Sequence, residues 1–209
     1  MSILDTIKKR RSIRIFKPDK VSKKEIDRII EAGIWAPTSG NTKPFKFLVL
    51  DDREKIDEFF ALTLESIVRW KKEAAKKRGI SITELYENYK KYLDGIQKAP
   101  VFVFVFLDLD KGAASFTNGN VMNLVSNGYL YNSLRDSLFL CAENMLLEAT
   151  ALGLGSLYFE LPGASKTPVN KLFNINNSSE FFTCIPIGYA DEEPIADERK
   201  VEDFLLDYD

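Results

Sequence analysis

"VFVFVFL", Val101 to Leu107, is seven apolar residues in a row. No polar position interrupts it, so it reads as a β-strand buried on both faces. A sheet built around such a strand needs helices on both sides. On its N-terminal flank, "FKFLVL" (45–50) reads as a second strand, and Asp51 and Asp52 can cap a charged helix over about 53–78. "SITE" at Ser81–Glu84 is a capping box that opens another helix running toward Pro100. On the C-terminal flank, 108–131 is rich in Gly and Asn and reads as irregular. The most hydrophobic helix follows, from about Ser133 to Leu152, and Gly153 stops it. Its apolar positions predict burial on most sides. "SLYF" (156–159) and "FFTCIPIGY" (181–189) read as further strands, separated by a turn at "LPG" and a short helix over about 165–173. Near the start, residues 2–11 suit a short helix with Ile3, Leu4 and Ile7 on one side. "SKKE" at Ser22–Glu25 caps a second helix, which Ala36-Pro37 ends. The pattern predicts a mixed sheet with helices on both faces, in one domain spanning 1–209.

The chain has 209 residues, 45% of them hydrophobic, enough for one substantial core. Lys and Arg total 29 against 31 Asp and Glu, so no overall basic field draws nucleic acid or an anionic membrane. No apolar run approaches the ~20 residues of a membrane-spanning helix. The N-terminal stretch lacks a signal-peptide core, so a cytoplasmic location is expected. Cys141 and Cys184 lie far apart in apolar surroundings and read as buried thiols. There is no histidine. That excludes a Ser-His-Asp triad, a Cys-His pair and a histidine-ligated zinc, and no metal site is expected. An enzyme made from this chain works with carboxylates, lysines, oxygen-ligated metal or a borrowed cofactor.

Three segments carry candidate chemistry. "KKRRSIRIF" (Lys8–Phe16) has five cations in nine residues, with isoleucines and a phenylalanine between them. Arginine forks match phosphate oxygens in bidentate fashion, and Ser12 adds a donor. The alternation at Ile13-Arg14-Ile15 predicts that the isoleucines root the backbone while Arg14 projects the other way. On composition alone, a solvated helix end paired with Asp5 or nearby acids explains the cluster equally well. "PTSGNTKPF" (Pro37–Phe45) is an ordered polar loop between prolines, suited either to connection or to close contact with a ligand. "GLGSLYFE" (Gly153–Glu160) holds Gly-x-Gly after a helix and before a strand, the reverse of a dinucleotide fingerprint. The tail is apolar at Phe204, Leu205, Leu206 and Tyr208 and needs somewhere to bury that side; a second subunit is the natural place.

Together, "RRSIRIF" (10–16), "APTSGNTKPFKFLVL" (36–50), "AENMLLEATALGLGSLYFE" (142–160) and "IPIGYADEEPIADERK" (185–200) resemble the nitroreductase family of flavin enzymes in order and spacing. The resemblance covers nearly the whole chain except about 61–98 and 108–131. It implies an α+β fold, a central, mainly antiparallel sheet flanked by helices on both faces, with a variable helical insertion at about 61–98. It also implies an intertwined homodimer with C-terminal arm exchange and FMN at the interface. Arg10, Arg11, Ser12 and Arg14 match the segment that contacts flavin phosphate, ribityl and pyrimidine edge. Pro37, Thr38, Ser39 and Asn41 match the loop supplied by the other subunit. Tyr158, Phe159, Glu160 and Leu161 match the strand end along the isoalloxazine, with a backbone N–H near Glu160 or Leu161 at N5. Arg199, with Lys200, matches the basic residue that returns to the phosphate. The chain departs from the pattern at Lys43, Phe45 and Leu161.

The activity so implied is transfer of hydride from NADH or NADPH, through FMN, to nitroaromatic, quinone or similar acceptors by a ping-pong mechanism. No side chain acts as acid or base; the cofactor carries the redox step. Two other readings stand beside it. One is reductive dehalogenation or other flavin chemistry of the same superfamily, with Trp70 and Tyr86 as lid residues. The other is a flavin-binding sensor or carrier without turnover.

Overall fold

The structure is a computed structural model and describes residues 2–160, 169–170 and 172–206. Leu161 and most of the helix expected over 165–173 lie outside the described residues. In chain order the elements are α1 (Ile3–Lys9), α2 (Lys23–Ile34), β1 (Phe45–Leu50), α3 (Arg53–Lys77), α4 (Ile82–Gln97), β2 (Val101–Asp108), α5 (Leu109–Phe116), α6 (Val121–Ser126), α7 (Gly128–Ala151), β3 (Gly155–Ser156) and β4 (Ser179–Gly188). The strands form one sheet in the order β1-β2-β4-β3, and all three pairings are antiparallel.

Strand β2 divides the core by parity. Val101, Val103, Val105 and Leu107 face one cluster with α2, α5 and α7, while Phe102, Phe104 and Phe106 face the other with α3 and α4. Successive side chains of a strand point to opposite faces, so "VFVFVF" gives each core its own residue type. The phenylalanine face is knit by edge-to-face pairs: Phe104 with Phe59 at 4.9 Å and Phe102 with Phe60 at 5.4 Å between ring centroids. Each such pair contributes about 0.5–1.5 kcal/mol beyond its buried area.

The caps fall where their chemistry requires. Ser22 and Glu25 exchange hydrogen bonds in a full capping box, and Asp52 accepts from the N–H groups of Glu54 and Lys55 at the start of α3. At α4, Ser81 accepts from the Glu84 N–H. The stretch 108–131 corrects the expectation of irregularity, because α5, α6 and the first turn of α7 occupy most of it. Its polar residues are the caps: Asp108, Asn120 and Asn127 accept from the backbone N–H groups of Lys111, Asn123 and Leu130.

Two further differences have local causes. The strand expected at 156–159 pairs only through Ser156, then touches β4 again at an isolated Phe159–Cys184 bridge. Continuing the register would set Leu157 opposite Pro186, which has no N–H to donate, so the ladder lapses there. Helix α7 is not covered all round: Leu138, Cys141 and Met145 are fully buried, but Phe139 and Leu140 are 48% and 47% exposed.

Candidate functional site

The cationic segment runs as an extended strip along the end of the sheet. The Ile13 N–H donates to the Ser156 carbonyl at 3.0 Å, the Lys17 N–H to Tyr189 at 2.9 Å, and the Asp191 N–H to Ile15 at 2.9 Å. The Glu192 carboxylate accepts from the backbone N–H groups of both Arg14 and Ile15. Ile13 and Phe16 are buried and anchor the strip; Ile15, expected as an anchor, is 43% exposed. Gly95, inside α4, lies against the Arg14 carbonyl, and a Cβ there would collide with that oxygen.

Rooted in this way, Arg14 opens onto a cleft of about 580 Å³. Its far wall is the strand end Leu157, Tyr158, Phe159 and Glu160, which Pro186 has released from the ladder. Its remaining side comes from α3 and α4, through Ile67, Trp70, Lys71, Tyr89 and Tyr92. The Arg14 guanidinium also donates to the Ser12 carbonyl at 3.2 Å. Burial pushes the Tyr158 phenol up to about 12, so it stays neutral across the physiological range.

A larger cleft of about 660 Å³ lies on the other side of the strip, beside Lys8, Lys9 and Arg11. Asp5, Glu192 and Glu193 offset those cations, and among the described residues no aromatic ring lines it. For a flat, electron-rich ligand the smaller, aromatic cleft is the better chemical match.

The structure thus gathers Arg14, Tyr158, Phe159 and Glu160 around one cavity, with Ser12 bridged to Ser156 just behind. Arg11 closes the end of α1 by donating to the carbonyls of Lys8 and Arg10, at 2.7 Å each, while its buried Nε has no partner. Arg10 pairs with Glu143 on α7 at 3.5 Å; a part-exposed pair of this kind is worth under about 1 kcal/mol and yields readily to a phosphate. The loop carrying Pro37, Thr38, Ser39 and Asn41 packs elsewhere in the protomer. Its Ser39 N–H donates to Ser137 of α7 at 3.1 Å, and Gly40, Asn41 and Lys43 all have positive φ. Three left-handed residues within four positions mark a loop held to an unusual shape, as functional loops are. Arg199 is exposed and lies 3.8 Å from Asp197. Leu161 is outside the described residues.

Lys71, Tyr89, Tyr92 and Glu192 escaped the sequence reading. Tyr86, expected in a lid, does not line the cleft, whereas Tyr89 and Tyr92 do. The spacing held the signal: Leu85, Tyr89 and Tyr92 recur at i, i+4 and i+7, so they share a helix face that Tyr86 leaves. Among the described residues no cluster of acidic and thiol groups suits a metal ion, and no helix is long and apolar enough to cross a membrane.

A family model described as the nitroreductase family matches residues 7–189. An Archaeoglobus fulgidus protein named "Putative NADH dehydrogenase/NAD(P)H nitroreductase" is 40% identical over 192 residues, 91% of this chain and 86% of that one. A BluB-like flavoprotein from Clostridium difficile 630 superposes with a TM-score of 0.74 at 20% identity, covering 100% of each chain. An iodotyrosine deiodinase bound to FMN and 3-iodo-L-tyrosine superposes with a TM-score of 0.72 at 21% identity, over 100% of this chain and 99% of that one. These two likenesses are likenesses of fold.

Proposed function

Because this chain belongs to the nitroreductase family, we propose that it is an FMN-dependent oxidoreductase taking hydride from NADH or NADPH and reducing nitroaromatic, quinone or similar planar acceptors in ping-pong fashion. The observation that carries the proposal is the cleft that brings Arg14 to the freed strand end 157–160 beneath an aromatic wall. The residues fit the cofactor. FMN joins a flat ring to a dianionic phosphate; the cleft offers Tyr158, Phe159 and Trp70 to the ring, and Arg14 to its polar edge. The buried Nε of Arg11 and Oγ of Ser156 have no partner in the protomer, and both flank the Ser12 strip. When bound, FMN would supply the two-electron chemistry.

The chain's own residues bind, orient and tune. Arg10, Arg11 and Ser12, with Arg199 and Lys200 of the tail, would hold the phosphate. Arg14 sets a positive charge at the rim, which favours ligand states with more negative charge. The strand end at Glu160 would bind the ring, and Trp70, Tyr89 and Tyr92 would keep water from it. The single 1–209 domain completes its site as a cytoplasmic homodimer. The loop Pro37–Asn41 then serves the partner's cleft, and exposed Phe139, Leu140, Leu4, Ile7 and Phe204 find cover. Nucleic acid and membranes are not among its partners.

The test is direct. The purified protein should be yellow, release FMN on denaturation, and bleach under nitrogen on addition of NADH or NADPH. A colourless protein that ignores added FMN refutes the site. A yellow protein that neither donor bleaches refutes the enzyme and leaves a carrier or sensor. The roof made by α3 and α4 favours a second reading, reductive dehalogenation; turnover of halophenols well above that of nitroaromatics would select it.

A further inference from the structure

The aromatic cleft does not end at Tyr92. A second groove of about 620 Å³ runs on between α3 and α4, and the two share Lys71, Tyr89 and Tyr92. Its α3 side is Lys71, Ala74, Ala75 and Arg78, and its α4 side is Leu85, Asn88, Tyr89 and Tyr92. Both sets follow i, i+3, i+4, i+7, so each is one helix face. Ala74 and Ala75 keep the floor open where longer residues would close it.

The groove's charge has one sign. Lys71 and Arg78 stand two helical turns apart, about 10 Å along the axis. Among the described residues no carboxylate lines the groove and neither cation has an ion-pair partner. The Lys71 ammonium sits at the junction of the two cavities, 4.8 Å from the Trp70 ring and 5.8 Å from the Tyr89 ring. The aromatic cleft thus continues past a cation at the junction, Tyr89 and Tyr92 lining both cavities, and a second cation lines the groove.

A ligand that fills this trough is elongated and has two planar ends, a negative middle and a further negative charge at the outer end. We propose that the α3–α4 groove is the docking lane of a nicotinamide dinucleotide donor, with Lys71 at its pyrophosphate and Arg78 selecting the ribose 2′-phosphate, so that NADPH is preferred to NADH. The inference rests on the functional reading above and adds to it the identity of the donor and the residues that choose it. Arg78 is exposed, so its contribution is modest: about ten-fold in affinity, as for one charge-assisted contact.

Two measurements test it. Calorimetric titration of the FMN-loaded protein compares adenosine 2′,5′-bisphosphate with 5′-AMP, independently of any redox step. The 2′-phosphorylated nucleotide should bind about ten-fold more tightly, and Arg78→Ala should remove most of that difference while Arg78→Lys keeps part of it. Anaerobic stopped-flow reduction of the flavin then compares the two donors. NADPH should lead by a similar factor in the wild type, Arg78→Ala should bring the ratio near one, and Lys71→Ala should slow both. Equal binding of the two nucleotides, or an NADPH/NADH ratio that Arg78→Ala leaves unchanged, overturns the lane. Flavin that stays oxidised with both donors refutes the functional reading instead, and the calorimetric comparison still decides the groove.

Discussion

Replacing Gly95 with alanine pits two known quantities against each other. In a helix interior, alanine is favoured over glycine by about 0.8–1 kcal/mol. Here the new methyl would run into the Arg14 carbonyl, with the Arg14 carbonyl carbon at 3.4 Å and Ile15 Cγ1 at 3.3 Å beside it. The obstacle is backbone and cannot swing aside. The strip it belongs to is clasped by Glu192 at two N–H groups and by Ser156 through Ile13. Overpacking of this kind costs about 1–3 kcal/mol, so Gly95→Ala should leave the protein between unchanged and about 2 kcal/mol less stable. The larger effect falls on the site. Moving the strip moves Arg14 at the cleft rim, and a lost charge-assisted contact should weaken FMN binding about ten-fold. Urea unfolding followed by circular dichroism reads the first quantity, and quenching of flavin fluorescence on titration reads the second. Gly128→Ala is the control: it is also a helix glycine, but a Cβ there meets nothing within 4 Å. A Gly95→Ala protein stabilised by about 1 kcal/mol, with FMN affinity intact, would refute the close approach and the positioning of Arg14 through it.

Other outcomes follow from the same structure. Arg14→Ala should lower FMN affinity at least ~10-fold and make the bound flavin harder to reduce; an unchanged midpoint potential in spectroelectrochemistry counts against its rim role. Truncation after Lys200 removes Phe204 and Leu206, which are 75% and 104% exposed in the protomer; at about 1.5–3 kcal/mol per buried apolar side chain, the dimer should weaken more than ~10-fold by sedimentation at low concentration. Burial raises the Cys141 thiol from 9.0 to about 12 and the Tyr158 phenol from 10.0 to about 12. The folded state then retains protons that the unfolded chain gives up. The stability from these groups is complete below pH 9 and is lost as pH rises from 9 toward 12. Urea midpoints should fall over that window, and Cys141→Ala should flatten the slope; a slope identical to wild type would contradict the burial.

Local chemistry made much of this legible. "VFVFVFL" announced a strand between two helical layers because no residue in it tolerates water, and Ser22–Glu25 announced a helix start because its two side chains satisfy two orphan N–H groups. It was the family resemblance that assigned the cationic strip and the strand end 158–160 to one cofactor; Arg14 and that strand end line the same cleft. What stayed hidden depends on partners distant in the chain. Asn120 and Asn127 look the same in a loop as at a helix start, until the following segment finds a core to pack on. Ile15 and Phe16 are equally apolar on paper; only the pairing of Phe16 with Ala190 decides which one turns inward. Pro186 reads as one residue in an apolar run, and its effect appears 29 positions earlier, where Leu157 loses its ladder partner. The loop Pro37–Asn41 is held to α7 by the bond from the Ser39 N–H to Ser137, 98 positions away, which no local pattern encodes.

The clasp of Glu192 on the strip has a temporal meaning. The carboxylate and the N–H groups it holds are 178 and 177 positions apart. During synthesis Arg14 and Ile15 leave the ribosome long before Glu192 and go without its clasp until it follows. The rim of the cleft therefore gains this clasp only once residue 192 has emerged. A nascent chain halted before residue 192 carries the strip held at Ile13 by Ser156, but without the carboxylate that clasps Arg14 and Ile15.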